Sequence, residues 1–317
     1  MKKYSFLLLI LLSILVVFSC VKESIPDKYK TENVIVVLID GARYSETWGD
    51  SLHQYIPYFA NEISKTGIVN TNFYNNGQTY TLAGHCSLST GNYQEINNSG
   101  NENPYFPSIF QYWNYHKYEK ANLSWIISSK DKLESLNNCN IGGWNNKGLP
   151  STNCGISGLG SGYREDSTSY NELIQILTEH HPKLVLFSFR DPDFSAHSGN
   201  WNSYIQGIIN TDRYAFQIWN FIRNDSYYKN KTTLFITNDH GRHLDSIADG
   251  FISHGDKCLG CRHINLFAYG PDFKKGQIID TKRELIDIPA TIAELLQIKT
   301  TYMKGEVMHE LFEKDNK

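Results

Sequence analysis

The sequence predicts an α/β fold with a mainly parallel central sheet flanked by helices. Short β-rich runs alternate with helical patterns along the chain, and this order is typical of βαβ units. The 317 residues are 40% apolar and 13% aromatic, so the chain can form a sizeable core. The predicted strands are Asn33–Ile39, Leu123–Ser128, Leu184–Phe189, Thr233–Thr237 and Asn265–Tyr269.

Two segments show the clearest helical periodicity. In residues 203–223, apolar side chains recur every three or four positions and form one stripe along a helix. Residues 282–297 show the same spacing, with apolar residues on one face. No repeat period or linker is visible after residue 32. Residues 33–317 are therefore predicted to form one domain.

The amino terminus has the pattern of an export signal. Two lysines near the start precede the apolar residues 5–18, a run that is short for a membrane-spanning helix. The sequence VFSC at 17–20 resembles a bacterial lipoprotein signal, so residues 1–19 are predicted to be removed and Cys20 to carry a lipid anchor. An ordinary signal peptide and a short anchor helix are the alternatives. Each exports the domain to the bacterial cell envelope, with polar residues 20–32 as a tether.

Export makes disulfide bonds the expected state of paired cysteines. Residues 135–167 are rich in Gly, Asn and Ser and are predicted to form a long surface excursion closed by a Cys139–Cys154 disulfide. Cys258 and Cys261 are a second candidate pair. The alternative is that these four cysteines bind an additional zinc ion.

Charge and hydropathy exclude two broad classes of protein. The formal net charge is −3, which argues against a general nucleic-acid binder and so against a duplex partner. The mean hydropathy of −0.41 excludes a multi-span membrane protein. Composition leaves the oligomeric state open.

Acidic residues follow three of the predicted strands. Asp40 ends the first strand, and Asp193 and Asp239 come shortly after the third and fourth. Because ligands bind beyond the carboxyl ends of parallel strands, these side chains should gather at one edge of the sheet. The alternative for any single one of them is a helix N-cap.

Histidines near these carboxylates point to a metal site. His197 lies four residues after Asp193, His240 directly follows Asp239, and His254 comes further along the chain. Carboxylates that cluster need a cation, and carboxylate oxygen together with imidazole suits zinc or a similar divalent ion.

A segment rich in Thr, Ser and Gly supplies a candidate nucleophile. The run QTYTLAGHCSLSTG opens a possible helix near Thr81. A hydroxyl at a helix start is either a cap or a nucleophile. By itself the cap is the simpler interpretation, and only a nearby base or metal makes the second one possible.

These residues resemble the motifs of the alkaline phosphatase superfamily, and within it the nucleotide pyrophosphatase/phosphodiesterase-like branch. The resemblance runs from about residue 33 to residue 313. The run VIVVLIDGAR resembles the first metal motif, and TLAGHCSLSTG resembles the nucleophile segment. DFSAH, TNDHG and SHGDK resemble the three later metal motifs, in their usual order.

The resemblance implies two divalent metal ions, most simply Zn²⁺, and catalysis through Thr81. The ions would activate the Thr81 hydroxyl and stabilise the leaving oxygen, and water would hydrolyse the resulting phosphothreonine. Asn101 is implied to bind a phosphoryl oxygen, with Asn97, Asn98 and Asn103 as competing candidates. The implied metal ligands are Asp40, Thr81, Asp239 and His240 at one site and Asp193, His197 and His254 at the other.

The sequence departs from the sulfatase branch of this superfamily. That branch requires a Cys or Ser that is converted to formylglycine at the nucleophile position. Thr81 stands there instead, and Cys86 comes five residues later. A sulfatase activity is therefore disfavoured.

We interpret the chain as an exported phosphoric ester hydrolase of phosphodiesterase or pyrophosphatase type, acting on a small phosphate ester. The alternatives are a phosphomonoesterase, a phosphoryl-group transferase and a non-catalytic surface-binding lipoprotein. The excursion at 135–167 is the candidate substrate lid. Its Trp144 and Tyr163 would stack on a base or sugar, or else pack against the domain.

Overall fold

The centre of the fold is a mixed sheet in which most neighbouring strands are parallel. The computed structural model describes residues 28–117 and 119–313, and all nine strands within them belong to this sheet. The strands are β1 (Asn33–Asp40), β2 (Ile68–Tyr74), β3 (Ser124–Ser128), β4 (Ser151–Cys154), β5 (Leu184–Pro192), β6 (Thr232–Thr237), β7 (His263–Tyr269), β8 (Gln277–Ile279) and β9 (Arg283–Glu284). Their order is β4-β3-β5-β1-β6-β7-β2-β8, with β9 also paired to β2. Only β7 runs antiparallel to its neighbours, so the predicted fold class is confirmed.

Helices cover both faces of the sheet. One face is covered by α1, α2 and α7, and the opposite face by α3 and α5. The helices are α1 (Thr81–Thr90), α2 (Ile109–Lys117), α3 (Asp166–His180), α4 (Asp193–Ala196), α5 (Trp201–Asn224), α6 (Leu259–Arg262) and α7 (Asp287–Leu295).

Strand β1 shows why the sheet needs two helical layers. Val34, Val36 and Leu38 belong to the core beneath α1, α2 and α7, whereas Ile35 and Val37 belong to the core beneath α3 and α5. Successive side chains of a strand point to opposite faces, so a continuous apolar run is buried only when both faces are covered. This arrangement places β1 in the middle of the molecule and the residue that ends it, Asp40, in the interior.

The elements predicted from the sequence are present, and four strands were missed. All five predicted strands occur, and the predicted helix at 203–223 is α5. The second predicted helix is α7, which begins at Asp287 rather than 282 because β9 occupies the preceding residues. The missed strands are β2, β4 and the two short strands β8 and β9. In β2, Asn70 and Asn72 interrupt the apolar pattern, and their side chains donate to the carbonyls of Thr281 and Asp280.

The folded domain begins earlier than residue 33. Tyr29 and Thr31 are buried, and Thr31 donates to the carboxylate of Asp272 through its backbone N–H at 2.9 Å. Tyr29 donates to Glu294 at 2.6 Å. The last residues of the predicted tether therefore pack against the domain. The predicted signal segment and Cys20 lie outside the described residues. No helix among the described residues is long and apolar enough to cross a membrane.

The predicted Cys139–Cys154 disulfide is wrong, because both residues are free thiols in the structure. Cys154 ends β4, and its thiol donates to the carbonyl of Ile126 on β3 at 3.6 Å. Cys139 lies on the other side of the excursion, beside Gln111 of α2. The excursion is held instead by β4, which extends the sheet beside β3.

Candidate active site

Three acidic side chains meet at the carboxyl edge of the central strands, as the sequence predicted. β1 is hydrogen-bonded to β5 on one side and to β6 on the other, so the residues that follow these strands are neighbours. Asp40 ends β1, Asp193 begins α4 directly after β5, and Asp239 follows β6. All three residues are buried, with between 0% and 3% of their surface exposed. Positive charge is needed nearby, because buried carboxylates repel one another.

Asp40, Asp239 and His240 form one group of metal-ligand type, called here the inner cluster. His240 Nε2 lies 3.5 Å from Asp40 Oδ1 and 3.3 Å from Asp239 Oδ2, and these three atoms have no hydrogen-bond partner among the described residues. His240 Nδ1 lies 2.8 Å from the Gly241 carbonyl, to which it donates, so Nε2 presents a lone pair. Three buried electron-pair donors thus face one another, which is the arrangement expected of a cation site.

The pKa shifts of the three residues in the inner cluster agree with this geometry. Burial lowers the pKa of His240 to about 3, so its ring is neutral near neutral pH. Burial and the charge of Asp239 raise the pKa of Asp40 well above its ordinary value. Burial also acts against ionisation of Asp239, but His240 and His85 outweigh it and lower the pKa of Asp239. A bound cation would remove the repulsion that keeps the pKa of Asp40 high.

Asp193, His197 and His254 form the second group, called here the outer cluster. Asp193 Oδ1 lies 3.2 Å from His254 Nε2 and 3.3 Å from His197 Nε2. His254 Nδ1 is hydrogen-bonded to the Thr79 carbonyl at 2.7 Å, which fixes the orientation of the ring. The His197 side chain is 48% exposed, so the outer cluster opens to solvent. The structure thus brings together the Asp and His residues of each ligand set that the resemblance implied.

Lys130 lies between the two clusters, and the sequence interpretation missed it. Its ammonium group is 2.7 Å from Asp40 and 2.6 Å from Asp193, and it donates to the Thr81 hydroxyl at 3.2 Å. Burial acts against its charge, but Asp193 and Asp40 outweigh burial and raise the pKa of Lys130 above its ordinary value. Lys130 follows β3, whose carboxyl end lies at the same edge of the sheet. The charged run KDK after this strand was the signal available in the sequence.

Arg242 is a second cation that contacts the outer cluster. Its Nη1 donates to Asp193 Oδ1, its Nη2 lies 3.3 Å from His197 Nδ1, and its side chain is fully buried. Asp193 therefore has two cationic partners in the protein itself. Burial acts against ionisation of Asp193, but Lys130, the two histidines of the cluster and Arg242 lower its pKa well below the ordinary value.

Thr81 is the first residue of α1, but its hydroxyl does not cap the helix. The N-cap residue is Tyr80, whose own side chain makes no capping hydrogen bond, and the N–H of Leu82 in the first turn donates to Asn98 Oδ1. Instead the buried Thr81 hydroxyl accepts from Lys130. Gly84, one turn further, allows close packing, since a Cβ at this position would lie 2.6 Å from the Asp239 carbonyl oxygen. The first turn of α1 therefore packs directly against the strand end that carries Asp239.

The structure places Asn98, and not Asn101, beside the candidate nucleophile. Asn98 Oδ1 accepts from the backbone N–H of Leu82 at 2.9 Å and from Lys132 Nζ at 3.1 Å. Asn101 is exposed on the turn that follows. Spacing alone did not separate these residues, because the contact depends on how the loop folds back over α1. We therefore replace Asn101 by Asn98 as the candidate phosphoryl-binding amide.

The predicted lid contributes one of its two aromatic residues to the site. Lys130 Nζ lies 5.7 Å from the centre of the Tyr163 ring, within range of a cation–π contact. Trp144 packs instead against Tyr112 and Tyr115 of α2, with ring centres 4.5 and 5.1 Å apart, so it belongs to the scaffold. Of these two aromatic residues, Tyr163 near the end of the excursion is the one that contacts Lys130.

Comparison with known proteins assigns the chain to a family. The family model described as Sulfatase matches residues 32–298, which is most of the chain. The chain belongs to the Sulfatase family. This family is part of the alkaline phosphatase superfamily, so the superfamily inferred from the motifs is confirmed. This superfamily is hydrolytic, with sulfatases and phosphoesterases among its members, and its members use divalent metals.

Solved structures share the fold of this sulfatase-family chain at low sequence identity. The phosphonate monoester hydrolase of Agrobacterium radiobacter matches with a TM-score of 0.66 and 14% identity, over 87% of this chain and 76% of its own. Murine ectonucleotide pyrophosphatase/phosphodiesterase 5 matches with a TM-score of 0.62 and 14% identity, over 89% and 100%. The PsFucS1 sulfatase from Pseudoalteromonas sp. matches with a TM-score of 0.61 and 14% identity, over 88% and 71%. Among curated proteins, none matches the sequence.

Proposed function

We propose that the protein hydrolyses phosphoric esters through Thr81, and that its substrate is a phosphodiester or a pyrophosphate. The observation that carries this proposal is the position of the Thr81 hydroxyl. It lies 3.2 Å from Lys130 Nζ, and the same ammonium group contacts one carboxylate of each cluster. A hydroxyl that served only the helix would instead accept a backbone N–H.

The inner cluster fits a divalent metal ion. Its donor atoms are buried, unpartnered and of the oxygen and imidazole type, which suits zinc. Asp40, Asp239 and His240 would hold the ion, with Thr81 as the adjacent ligand. When bound, such an ion lowers the pKa of nearby hydroxyl groups and neutralises charge that develops on the phosphoryl oxygens.

The outer cluster fits a second ion less well. Asp193, His197 and His254 have the right donor types, but Lys130 and Arg242 already neutralise the Asp193 carboxylate. A divalent ion at this cluster must compete with these two cations for Asp193. We therefore propose that the protein binds two divalent ions of unequal affinity, with the inner cluster as the tighter site.

Thr81, Lys130 and Asn98 have different roles in the proposed reaction. The Thr81 hydroxyl gives its proton to solvent as its oxygen attacks phosphorus, and the bond from phosphorus to the leaving oxygen breaks, with that oxygen taking a proton from solvent. Water then hydrolyses the resulting phosphothreonine, which restores the Thr81 hydroxyl and releases the phosphate product. Lys130 remains charged, so it acts as a hydrogen-bond donor to the nucleophile and to the anionic substrate and not as the base. Asn98 offers its amide Nδ2 to a phosphoryl oxygen, since its Oδ1 is occupied by Leu82 and Lys132.

The residue types favour phosphate over sulfate. Formylglycine is made from Cys or Ser, and Thr81 is neither. Cys86 is completely buried in the middle of α1, where burial raises the pKa of its thiol above the ordinary value. One structural neighbour, the murine ectonucleotide pyrophosphatase/phosphodiesterase 5, is described in an inactive threonine-to-alanine form bound to AMP. That description agrees with a threonine nucleophile in a related fold.

Aromatic side chains near the clusters favour a substrate with a planar or sugar-like leaving group. Phe194 directly follows Asp193 and is 48% exposed, and Tyr80 directly precedes Thr81 and is 39% exposed. Tyr163 faces Phe194 with ring centres 6.4 Å apart. A phosphodiester, or a pyrophosphate esterified at both ends, has two organic groups that can contact these rings, whereas a phosphate monoester has only one.

The proposed function is tested with matched nitrophenyl esters and metal-loaded protein. We expect hydrolysis of bis(4-nitrophenyl) phosphate to exceed that of 4-nitrophenyl phosphate, with no turnover of 4-nitrophenyl sulfate. A preference for the monoester would favour a phosphomonoesterase, and turnover of the sulfate would overturn the proposal. Transfer to an added alcohol in place of water would indicate a phosphoryl-group transferase. Inactivity towards all three with metals bound would indicate a non-catalytic protein.

We also propose that the protein is exported and attached to the bacterial cell envelope by a lipid on Cys20. The VFSC sequence after an apolar segment supports this proposal. Radiolabelled palmitate should be incorporated into the parent chain and not into Cys20→Ser, which should be released from membranes or fail to mature. Equal incorporation into both proteins would reject lipid attachment at Cys20.

A further inference from the structure

A third group of metal-ligand type lies outside the two clusters of the active site. His243 follows the strand end that carries Asp239 and His240, and Asp256, Cys258 and Cys261 follow His254. One donor atom from each of the four residues lies within 4.8 Å of all the others. The sequence suggested a different zinc set, in which Cys258 and Cys261 joined Cys139 and Cys154. The structure instead brings an imidazole and a carboxylate to Cys258 and Cys261.

His243 provides an unpartnered nitrogen that faces this group. Its side chain is 8% exposed, and its Nε2 is buried without a hydrogen-bond partner among the described residues. Nε2 lies 3.3 Å from Asp256 Oδ2, too poorly aligned for a hydrogen bond. The other nitrogen, Nδ1, lies 3.2 Å from Asp249 Oδ1 and 3.3 Å from Ser253 Oγ. A carboxylate on the far nitrogen is the usual partner of a metal-bound histidine, because it fixes the tautomer and the ring orientation.

The two cysteines are arranged as thiolate ligands. Both are free, and Cys261 is completely buried. The backbone N–H of Cys261 donates to Cys258 Sγ at 3.4 Å, and an N–H donor stabilises negative charge on sulfur. Asp256 Oδ1 accepts from the backbone N–H of Cys258 at 2.9 Å, which leaves Oδ2 directed towards His243.

We propose that His243, Asp256, Cys258 and Cys261 bind a structural zinc ion. Two thiolates, one imidazole and one carboxylate complete a tetrahedral shell, so the site is closed to substrate. Zinc–ligand distances of about 2.0 to 2.3 Å correspond to tetrahedral edges of about 3.3 to 3.8 Å. The present donor separations reach this geometry with a contraction of about 1 Å, within the range of side-chain rotation.

The ion would connect two loops that both carry residues of the active site. His243 lies just after Asp239, His240 and Arg242, and the other three ligands lie just after His254. The loops are already in backbone contact, since Gly241 N–H donates to the Cys261 carbonyl at 2.8 Å. His243 N–H donates to the Ser253 carbonyl at 3.1 Å. A metal cross-link at this point would hold Arg242 and His254 in place without touching the substrate.

The competing state is a Cys258–Cys261 disulfide, which export would favour. Such a bond needs neither His243 nor Asp256, and it would leave the buried His243 Nε2 unpartnered. The two states also differ chemically, because zinc binding keeps both sulfurs reduced and accessible to alkylation after chelation. A disulfide resists alkylation until a reductant is added.

Cobalt substitution tests the site separately from the proposed function. The inner and outer clusters contain only oxygen and nitrogen donors, so a thiolate-to-Co²⁺ charge-transfer band in the near ultraviolet reports the third site alone. We expect this band in the cobalt-loaded parent chain and zinc–sulfur scattering in the X-ray absorption spectrum of the zinc form. Absence of both, with alkylation of Cys258 and Cys261 only after reduction, would overturn the proposal in favour of a disulfide.

Variants assign the ligands. Cys258→Ser and His243→Ala should each remove about one zinc per chain and weaken the cobalt band, while the metal of the inner cluster stays bound. Cys154→Ser is the matched control, because its hydroxyl can still donate to the Ile126 carbonyl, and it should keep the band. A parental band in Cys258→Ser would contradict the assignment. If that variant does not fold, the spectra of the parent chain still decide.

Discussion

The ammonium group of Lys130 lies 3.2 Å from the hydroxyl oxygen of Thr81, at the start of the helix that was expected to carry the nucleophile. This contact separates the two interpretations of Thr81. A capping hydroxyl accepts from the backbone of its own helix, whereas this one accepts from a buried cation that also contacts Asp40 and Asp193. This environment supports the proposal that Thr81 is the nucleophile.

Thr81→Ala should lose nearly all activity and keep its fold. Loss of a capping hydroxyl costs about 1 kcal/mol in typical helices, and Thr81 provides no cap, so the melting temperature should change little. Thr81→Ser should keep a good part of the activity because a primary hydroxyl can occupy the same position. Acid quench during turnover of the parent chain should trap a phosphorylated peptide that contains Thr81. Parental turnover by Thr81→Ala would limit the likeness to the phosphodiesterase branch to a shared fold.

Lys130→Met should lower kcat by about a hundredfold, the typical effect of removing one donor from a preorganised anion site. The same change should tighten binding of the second metal ion, because Asp193 then loses one of its two cationic partners. Isothermal titration with zinc measures this directly. Lys132→Met is the comparison variant, since among the described residues Lys132 contacts Asn98 and forms no ion pair with Asp40, Asp193 or Asp239, and it should lower kcat less than Lys130→Met. Equal losses in both variants would show only that the site needs positive charge.

Ligand substitutions should empty the two metal sites separately. Asp239→Asn removes a donor of the inner cluster and should lose the tightly bound ion together with most activity. His254→Ala should leave that ion in place and lose the weaker one. Metal analysis after dialysis, compared with the parent chain, measures both effects. His309→Ala, at an exposed position, should behave as the parent. Full metal content in the first two variants would reject both assignments.

Asn98 and Asn101 form a matched pair of amides. Asn98→Ala should raise KM and lower kcat, because it removes the amide proposed to bind a phosphoryl oxygen and the acceptor of the Leu82 N–H. Asn101→Ala should have no effect, since its side chain is exposed. Steady-state kinetics on one phosphodiester compare the two. The reverse pattern would restore Asn101 as the phosphoryl-binding residue.

Asp212 should make the stability of the fold depend on pH. Its carboxylate accepts from the backbone N–H groups of Tyr58 and Phe59, but burial raises its pKa to about 7. The folded state therefore binds this proton more tightly than the unfolded chain, whose Asp pKa is about 3.9. The free energy of unfolding should fall as pH rises from about 4 to about 7. Denaturant unfolding at several pH values should show a shallower decline in Asp212→Asn than in the parent, and identical declines would contradict the assignment.

The sequence alone predicted the fold class and, through the resemblance of its motifs, both sets of metal-ligand candidates. The apolar run of β1 can be buried only between two layers, and Asp40, Asp193 and Asp239 each follow a parallel strand. The edge at which these residues meet is therefore set by strand direction, a property of the local sequence. The motifs around Thr81 also predicted a candidate nucleophile at the start of a helix, and Thr81 is the first residue of α1.

Only the tertiary structure decided which side chains meet from distant parts of the chain. Lys130, Arg242 and Asn98 lie on loops, and a loop carries no periodic signal that fixes the direction of its side chains. The same holds for the cysteines: spacing suggested Cys139 with Cys154, whereas folding separates these two and brings His243 and Asp256 to Cys258 and Cys261. Local periodicity fixes the strands and helices, but loop contacts depend on how the finished sheet positions their ends.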